Sequence, residues 1–130
     1  MSTLTQLPRL GQSVWMDNLS RAMIEDGSLE ARIREQGISG ITSNPATFAK
    51  AIDGSDAYDN DLYDCREGGL SHEASAETLM IGDVQKACDL LRPTYDRTHG
   101  DDGYVSIEVN PWLARDTDRT IETARRLWSA

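Results

Sequence analysis

Three short apolar segments, Ser13–Asp17 (SVWMD), Ile38–Asn44 (ISGITSN) and Tyr104–Val109 (YVSIEV), each give way to a stretch whose apolar residues recur at helical spacing. An apolar run followed by a helical pattern is the mark of a βα unit, so the chain reads as α/β with about three such units. After the first segment, Leu19, Ala22 and Met23 fall at helical spacing. Gly27 interrupts them, Ser28 suits the cap of a second piece carrying Leu29 and Ile33, and Gly37 suits its end. After the second segment, Pro45 stands where the first turn of a helix over ATFAKAI tolerates it. Asp53–Ser75 holds seven acidic residues and reads as a polar loop with one amphipathic stretch around Tyr58, Leu62 and Tyr63. Met80, Val84, Ala87 and Leu91 then share one face of a helix over Ala76–Leu91, with Pro93 as its end. After the third segment, Asp116 or Thr117 suits the cap of a helix with Ile121, Ala124 and Trp128 on its apolar face.

Side chains alternate along a strand, so each segment sorts its residues onto two faces. Val105, Ile107 and Val109 oppose Tyr104, Ser106 and Glu108; Val14 and Met16 oppose Trp15 and Asp17; Ile41 and Ser43 oppose Thr42 and Asn44. In an α/β barrel the outward faces pack on helices and active sites gather at the C-terminal ends of the strands. Asp17, Asn44 and Glu108 would meet there, one from each strand. Each also has a plain alternative. Asp17 suits a helix cap, Asn44 an Asn-Pro turn, and Glu108 the water-facing side of an edge strand.

A chain of 130 residues is normally one domain. Its 22 acidic residues against 11 arginines and two lysines give a formal charge of −9, which disfavours nucleic acid or anionic membranes as partners. The acidic residues are scattered and read as a solubilising surface. MSTLTQLPRLGQ lacks the pattern of a secretory leader and no apolar run reaches membrane-spanning length, so a cytoplasmic protein is expected. Cys65 and Cys88 lack CxxC spacing and read as buried or incidental thiols, and His72 and His99 form no HxH or HExxH pattern. No metal site is expected.

The segments SVWMDNLS, GITSNPATFAKAI, ACDLLRP and VSIEVNPWLARDT together, in this order, resemble the transaldolase family from about residue 12 onward. The VWxDxLSR opening is similar to the bacterial type, some members of which are fused to glucose-6-phosphate isomerase. The resemblance implies a TIM (β/α)8 barrel, of which residues 1–130 are an incomplete N-terminal part. It implies a cofactor-free transferase of the pentose phosphate pathway. A dihydroxyacetone unit passes from sedoheptulose 7-phosphate to glyceraldehyde 3-phosphate, giving erythrose 4-phosphate and fructose 6-phosphate, through a lysine Schiff base. By motif, Asp17 takes the place of the family's acid/base aspartate and Glu108 that of the glutamate holding the catalytic water. Asn44 takes the place of a substrate-contacting asparagine, and Thr42 that of a threonine supporting the site from behind. Ser43 stands where threonine is frequent, while Asn110 and Trp112 depart from the pattern and receive no role.

The family's imine-forming lysine belongs to a later strand that this chain does not contain. Lys50 and Lys86, its only lysines, fall on expected helices and read as surface residues. The isolated chain is therefore expected to be inactive. Two alternatives stand beside the enzyme reading: a non-catalytic module that binds another chain supplying the remainder of the barrel, and a fructose 6-phosphate aldolase. The long Asp53–Ser75 segment favours the larger transaldolases over the latter.

Overall fold

The three apolar segments pair in one parallel sheet of order β1-β2-β3, formed by Trp15–Met16 (β1), Gly40–Thr42 (β2) and Tyr104–Ser106 (β3). The computed structural model describes residues 3–130; Met1 and Ser2, which begin the stretch read as lacking a leader, lie outside them. Trp15 pairs with Gly40 and Gly40 with Tyr104, so the alternation read along each segment becomes two continuous faces. Gly40 lets the Trp15 side chain pack flat on the sheet. The Trp15 indole lies across it, and a Cβ there would fall 2.2 Å from the ring.

Each strand feeds a helix. The first unit continues into α1 (Arg21–Glu25), where the Ser20 hydroxyl accepts from the Met23 N–H at 3.4 Å, and then into α2 (Ser28–Gln36). Ser28 is the first residue of α2 rather than its cap; its N–H donates to Asp26 Oδ1 at 2.8 Å, and the cap position is Gly27. Gly27 and Gly37 bracket α2 with φ of 75° and 73°, a left-handed conformation that glycine takes without steric cost. The second unit continues into α3 (Pro45–Asp53), with Pro45 in its first turn as expected.

Asp53–Ser75 is not a polar loop. It carries a 3₁₀ turn at Asp56–Tyr58, α4 (Asp59–Glu67), and the start of α5 (His72–Arg97). The Ser55 hydroxyl caps the 3₁₀ turn and that of Ser71 caps α5, and Asp59 and Asp61 lie in the first turn of α4, where negative charge favours the helix dipole. The acidic residues line solvated faces, while Tyr58 and Cys65 turn inward. Pro93 does not end its helix either. It lies on the exposed side of α5 with Asp89, whose carbonyl loses its helical donor, and the helix runs on to Arg97.

The core forms between one face of the sheet and the helices. Leu19, Leu29, Ile41, Phe48, Tyr58 and Leu91 are buried in it, with Val14, Met16, Val105 and Ile107 packed against it from the strands. The other sheet face is uncovered, with Trp15 41% exposed. The last helix, α6 (Thr117–Trp128), is capped by Asp116 as expected, but its apolar face is not buried: Ile121 is 45% and Trp128 83% exposed. A barrel helix rests on its own strand and the next one, and the described sheet stops at β3. Instead, Arg126 pairs with Glu77 at 2.6 Å and Gln85 donates to the Ala130 carbonyl at 2.7 Å, tying α6 to α5.

Candidate active site

Continuing the register one residue past Met16 brings Asp17 level with Thr42 and Ser106 on the uncovered face. Thr42 Oγ1 donates to Asp17 Oδ1 at 2.5 Å. Asp17 does not cap α1; that role belongs to Ser20. The carboxylate is thus left exposed at the end of β1 with one oxygen oriented by its neighbour strand.

Asn44 does cap α3, its Oδ1 accepting from the Thr47 N–H at 2.8 Å. This uses the acceptor of the amide and aims a side chain that still has NH2 donors to offer. The β2–β3 register, extended by two residues, sets Asn44 level with Glu108. Glu108 lies beyond the last paired residue of β3 and is exposed. In this three-stranded sheet β3 is an edge, so the water-facing reading of Glu108 fits as well as the site reading. A groove of about 1180 Å³ between α3, α5 and α6 is lined in part by Glu108 and Asn110 but not by Asp17 or Thr42. In this groove, concave space meets the polar rim at the end of β3. Ser43 faces the other way, buried, with its hydroxyl donating to the Ser106 carbonyl at 2.7 Å.

Lys50 on α3 and Lys86 on α5 are both exposed helix residues. Among the described residues no group of three or more His, Cys, Asp or Glu gathers as a metal site would require. No described helix is long and apolar enough to cross a membrane.

Two buried polar clusters frame the sheet, and sequence reasoning assigned neither. Behind the Asp17 turn, Asp83 Oδ1 accepts from Arg21 Nε at 2.8 Å and Asp83 Oδ2 from the Tyr58 hydroxyl at 2.8 Å. Arg21 also donates from its guanidinium to the Ala57 carbonyl at 3.0 Å and to Asp61 at 2.5 Å. Burial works against the Arg21 charge, but the bonds to Asp83 and Asp61 outweigh it and hold its pKa above the ordinary value. Burial pushes the Tyr58 hydroxyl up to about 12, helped by its bond to Asp83 and opposed by the Arg21 N–H. The readable signal was Asp83 itself, set between Leu79 and Ala87 at i, i+4 on a buried helical face. At the opposite ends of the strands, Asp102 accepts from Trp15 Nε1 and the Gly103 N–H, each at 3.2 Å. Burial raises its pKa, but these donors together with Ser13 and Ser39 more than reverse that and hold the carboxyl below its usual range.

The family model described as Transaldolase/Fructose-6-phosphate aldolase matches residues 14–130. A protein of Thiobacillus denitrificans named transaldolase is 49% identical over 129 residues, which are 99% of this chain and 36% of that protein. Transaldolase 2 of Nostoc punctiforme is 50% identical over 128 residues, covering 97% of this chain and 34% of the relative. Thermobifida fusca transaldolase is 46% identical over 127 residues, covering 98% and 34%. The chain thus spans about a third of the length of these relatives. With three parallel strands and polar groups at their C-terminal ends as such a barrel begins, the chain belongs to the transaldolase/fructose-6-phosphate aldolase family.

Proposed function

We propose that this chain supplies the proton-handling part of a transaldolase site. The observation that carries the reading is the Asp17 carboxylate held by Thr42 Oγ1 at 2.5 Å on the uncovered sheet face. A carboxylate presented in this way can take the proton of a donor hydroxyl within hydrogen-bond reach. The donor ketone, sedoheptulose 7-phosphate or fructose 6-phosphate, is held as an imine on a lysine outside these residues. When its C3–C4 bond breaks, the electron pair passes to the iminium nitrogen as an enamine, the C4 hydroxyl proton passes to Asp17, and C4 leaves as an aldehyde. The reverse steps join the three-carbon unit to the acceptor aldehyde, Asp17 returning the proton. Glu108 holds the water that forms and cleaves the imine, and the Asn44 amide donates to the substrate. A cytoplasmic location goes with this reading. The transaldolase names of relatives favour transfer over simple aldol cleavage.

The test is a joined protein in which residues 1–130 replace the matching third of the Thiobacillus denitrificans transaldolase. Transfer from fructose 6-phosphate to erythrose 4-phosphate is expected, and Asp17→Asn lowers kcat by about 100-fold or more while imine still forms. An Asp17→Asn enzyme with undiminished kcat would sink the assignment.

A further inference from the structure

Three buried polar side chains take no part in the reaction as assigned: Arg21 on α1, Tyr58 before α4 and Asp83 in the middle of α5. Their positions bear on Asp17. The carboxylate stands on a short bridge, with Met16 paired to Ile41 on one side and Arg21 four residues later on the other. At Arg21 the backbone is pinned as firmly as the side chain, since its N–H donates to the Tyr58 hydroxyl at 3.0 Å. The guanidinium lies over the Tyr58 ring, 4.3 Å from its centre, while Nε is held by Asp83. Asp83 uses one oxygen for each partner, so the two hydrogen bonds fix direction as well as distance. Leu19, 2% exposed, fills the core between the two anchors.

We propose that Arg21, Tyr58 and Asp83 form a positioning clamp that fixes the β1–α1 turn and so aims the Asp17 carboxylate at Thr42 and the reacting hydroxyl. The clamp rests on the reading of Asp17 as the acid/base group. None of the three touches Asp17, so they are positioning residues rather than catalytic ones. A displacement of about 1 Å in a reacting group can cost about 100-fold in rate, which makes the anchoring of so short a bridge consequential.

Tyr58→Phe tests this, since it keeps the ring beneath Arg21 but removes the hydroxyl that joins the Arg21 N–H to Asp83. In the joined enzyme, kcat per folded molecule is expected to fall by about tenfold or more. The imine trapped by borohydride stays unchanged, because it forms before Asp17 acts. In an Asp17→Asn background the substitution has no further effect on the residual rate. Equal losses with and without Asp17, an unchanged kcat, or trapping that falls in step with kcat would overturn the clamp. Arg21→Lys, which keeps the charge but loses the fork, is expected to give the same pattern and serves if Tyr58→Phe fails to fold. A readout without turnover separates the clamp from the reaction. In the 130-residue chain, NMR resonances of the Asp17 carboxyl carbon and the Thr42 methyl are expected to move on Tyr58→Phe, and unmoved resonances would overturn the proposal. An inactive joined enzyme with moved resonances would count against the assigned reaction and leave the clamp supported.

Discussion

The Thr42 hydroxyl lies 2.5 Å from the Asp17 carboxylate at a half-buried position where valine has nearly the same shape. Thr42→Val is therefore expected to lower kcat of the joined enzyme by about tenfold with little change in KM, and to shift stability by about 1 kcal/mol or less. Steady-state kinetics and urea unfolding check the two halves. Asp102 carries a different consequence. Its folded pKa is depressed, so below about pH 4 the unfolded chain binds the proton first. The stability it contributes is complete above that pH and is lost as pH falls through the folded value. Asp102→Asn is expected to flatten the acid side of the stability-pH curve, as urea midpoints between pH 3 and 7 would report. Neither residue was equally legible from sequence. Thr42 was singled out by the family resemblance, with alternation placing it on the same face as Asn44, whereas Asp102 lay in a turn-rich stretch where an aspartate carries no distinguishing pattern.

At the scale of elements, the close packing of α5 on β3 depends on Gly103. Its φ is 93°, and a Cβ there would fall 2.4 Å from the Tyr95 backbone nitrogen, which cannot move without the helix. Gly40 is equally crowded, but by the Trp15 side chain, which can swing toward solvent. Gly103→Ala is thus expected to destabilise by about 3 kcal/mol or more, and Gly40→Ala by less, with a change in Trp15 fluorescence as the indole leaves Asp102. Denaturant melts and emission spectra distinguish the two. The strands, α3 and the cap of α6 were legible because alternation, Asn44-Pro45 and Asp116 are local signals. Within Asp53–Ser75 the amphipathic stretch around Tyr58, Leu62 and Tyr63 falls on the 3₁₀ turn and α4, but the extent of helix was not legible, because its core contacts come from a few residues such as Tyr58 and Cys65 amid polar ones. Pro93 misled for the opposite reason: its local rule is sound, but the helix continues past it to Arg97.

At the scale of the whole molecule, a three-stranded parallel sheet covered on one face is a partial solution to burying apolar surface. The uncovered face holds Trp15, Asp17 and Ser106, and the apolar face of α6 holds Ile121 and Trp128. These are surfaces that the remaining strands and helices of a barrel would cover, in keeping with relatives about three times as long. The proposed division of labour rests on the same geometry: the Asp17 carboxylate stands exposed at the end of β1, while both lysines sit on solvated helices. The most direct measurement is borohydride reduction with fructose 6-phosphate followed by mass mapping of the adduct, on the 130-residue chain and on the joined enzyme. The expected result is no adduct on the chain alone, and in the joined enzyme a single adduct on a lysine outside residues 1–130. An adduct on Lys50 or Lys86 in either protein would contradict it.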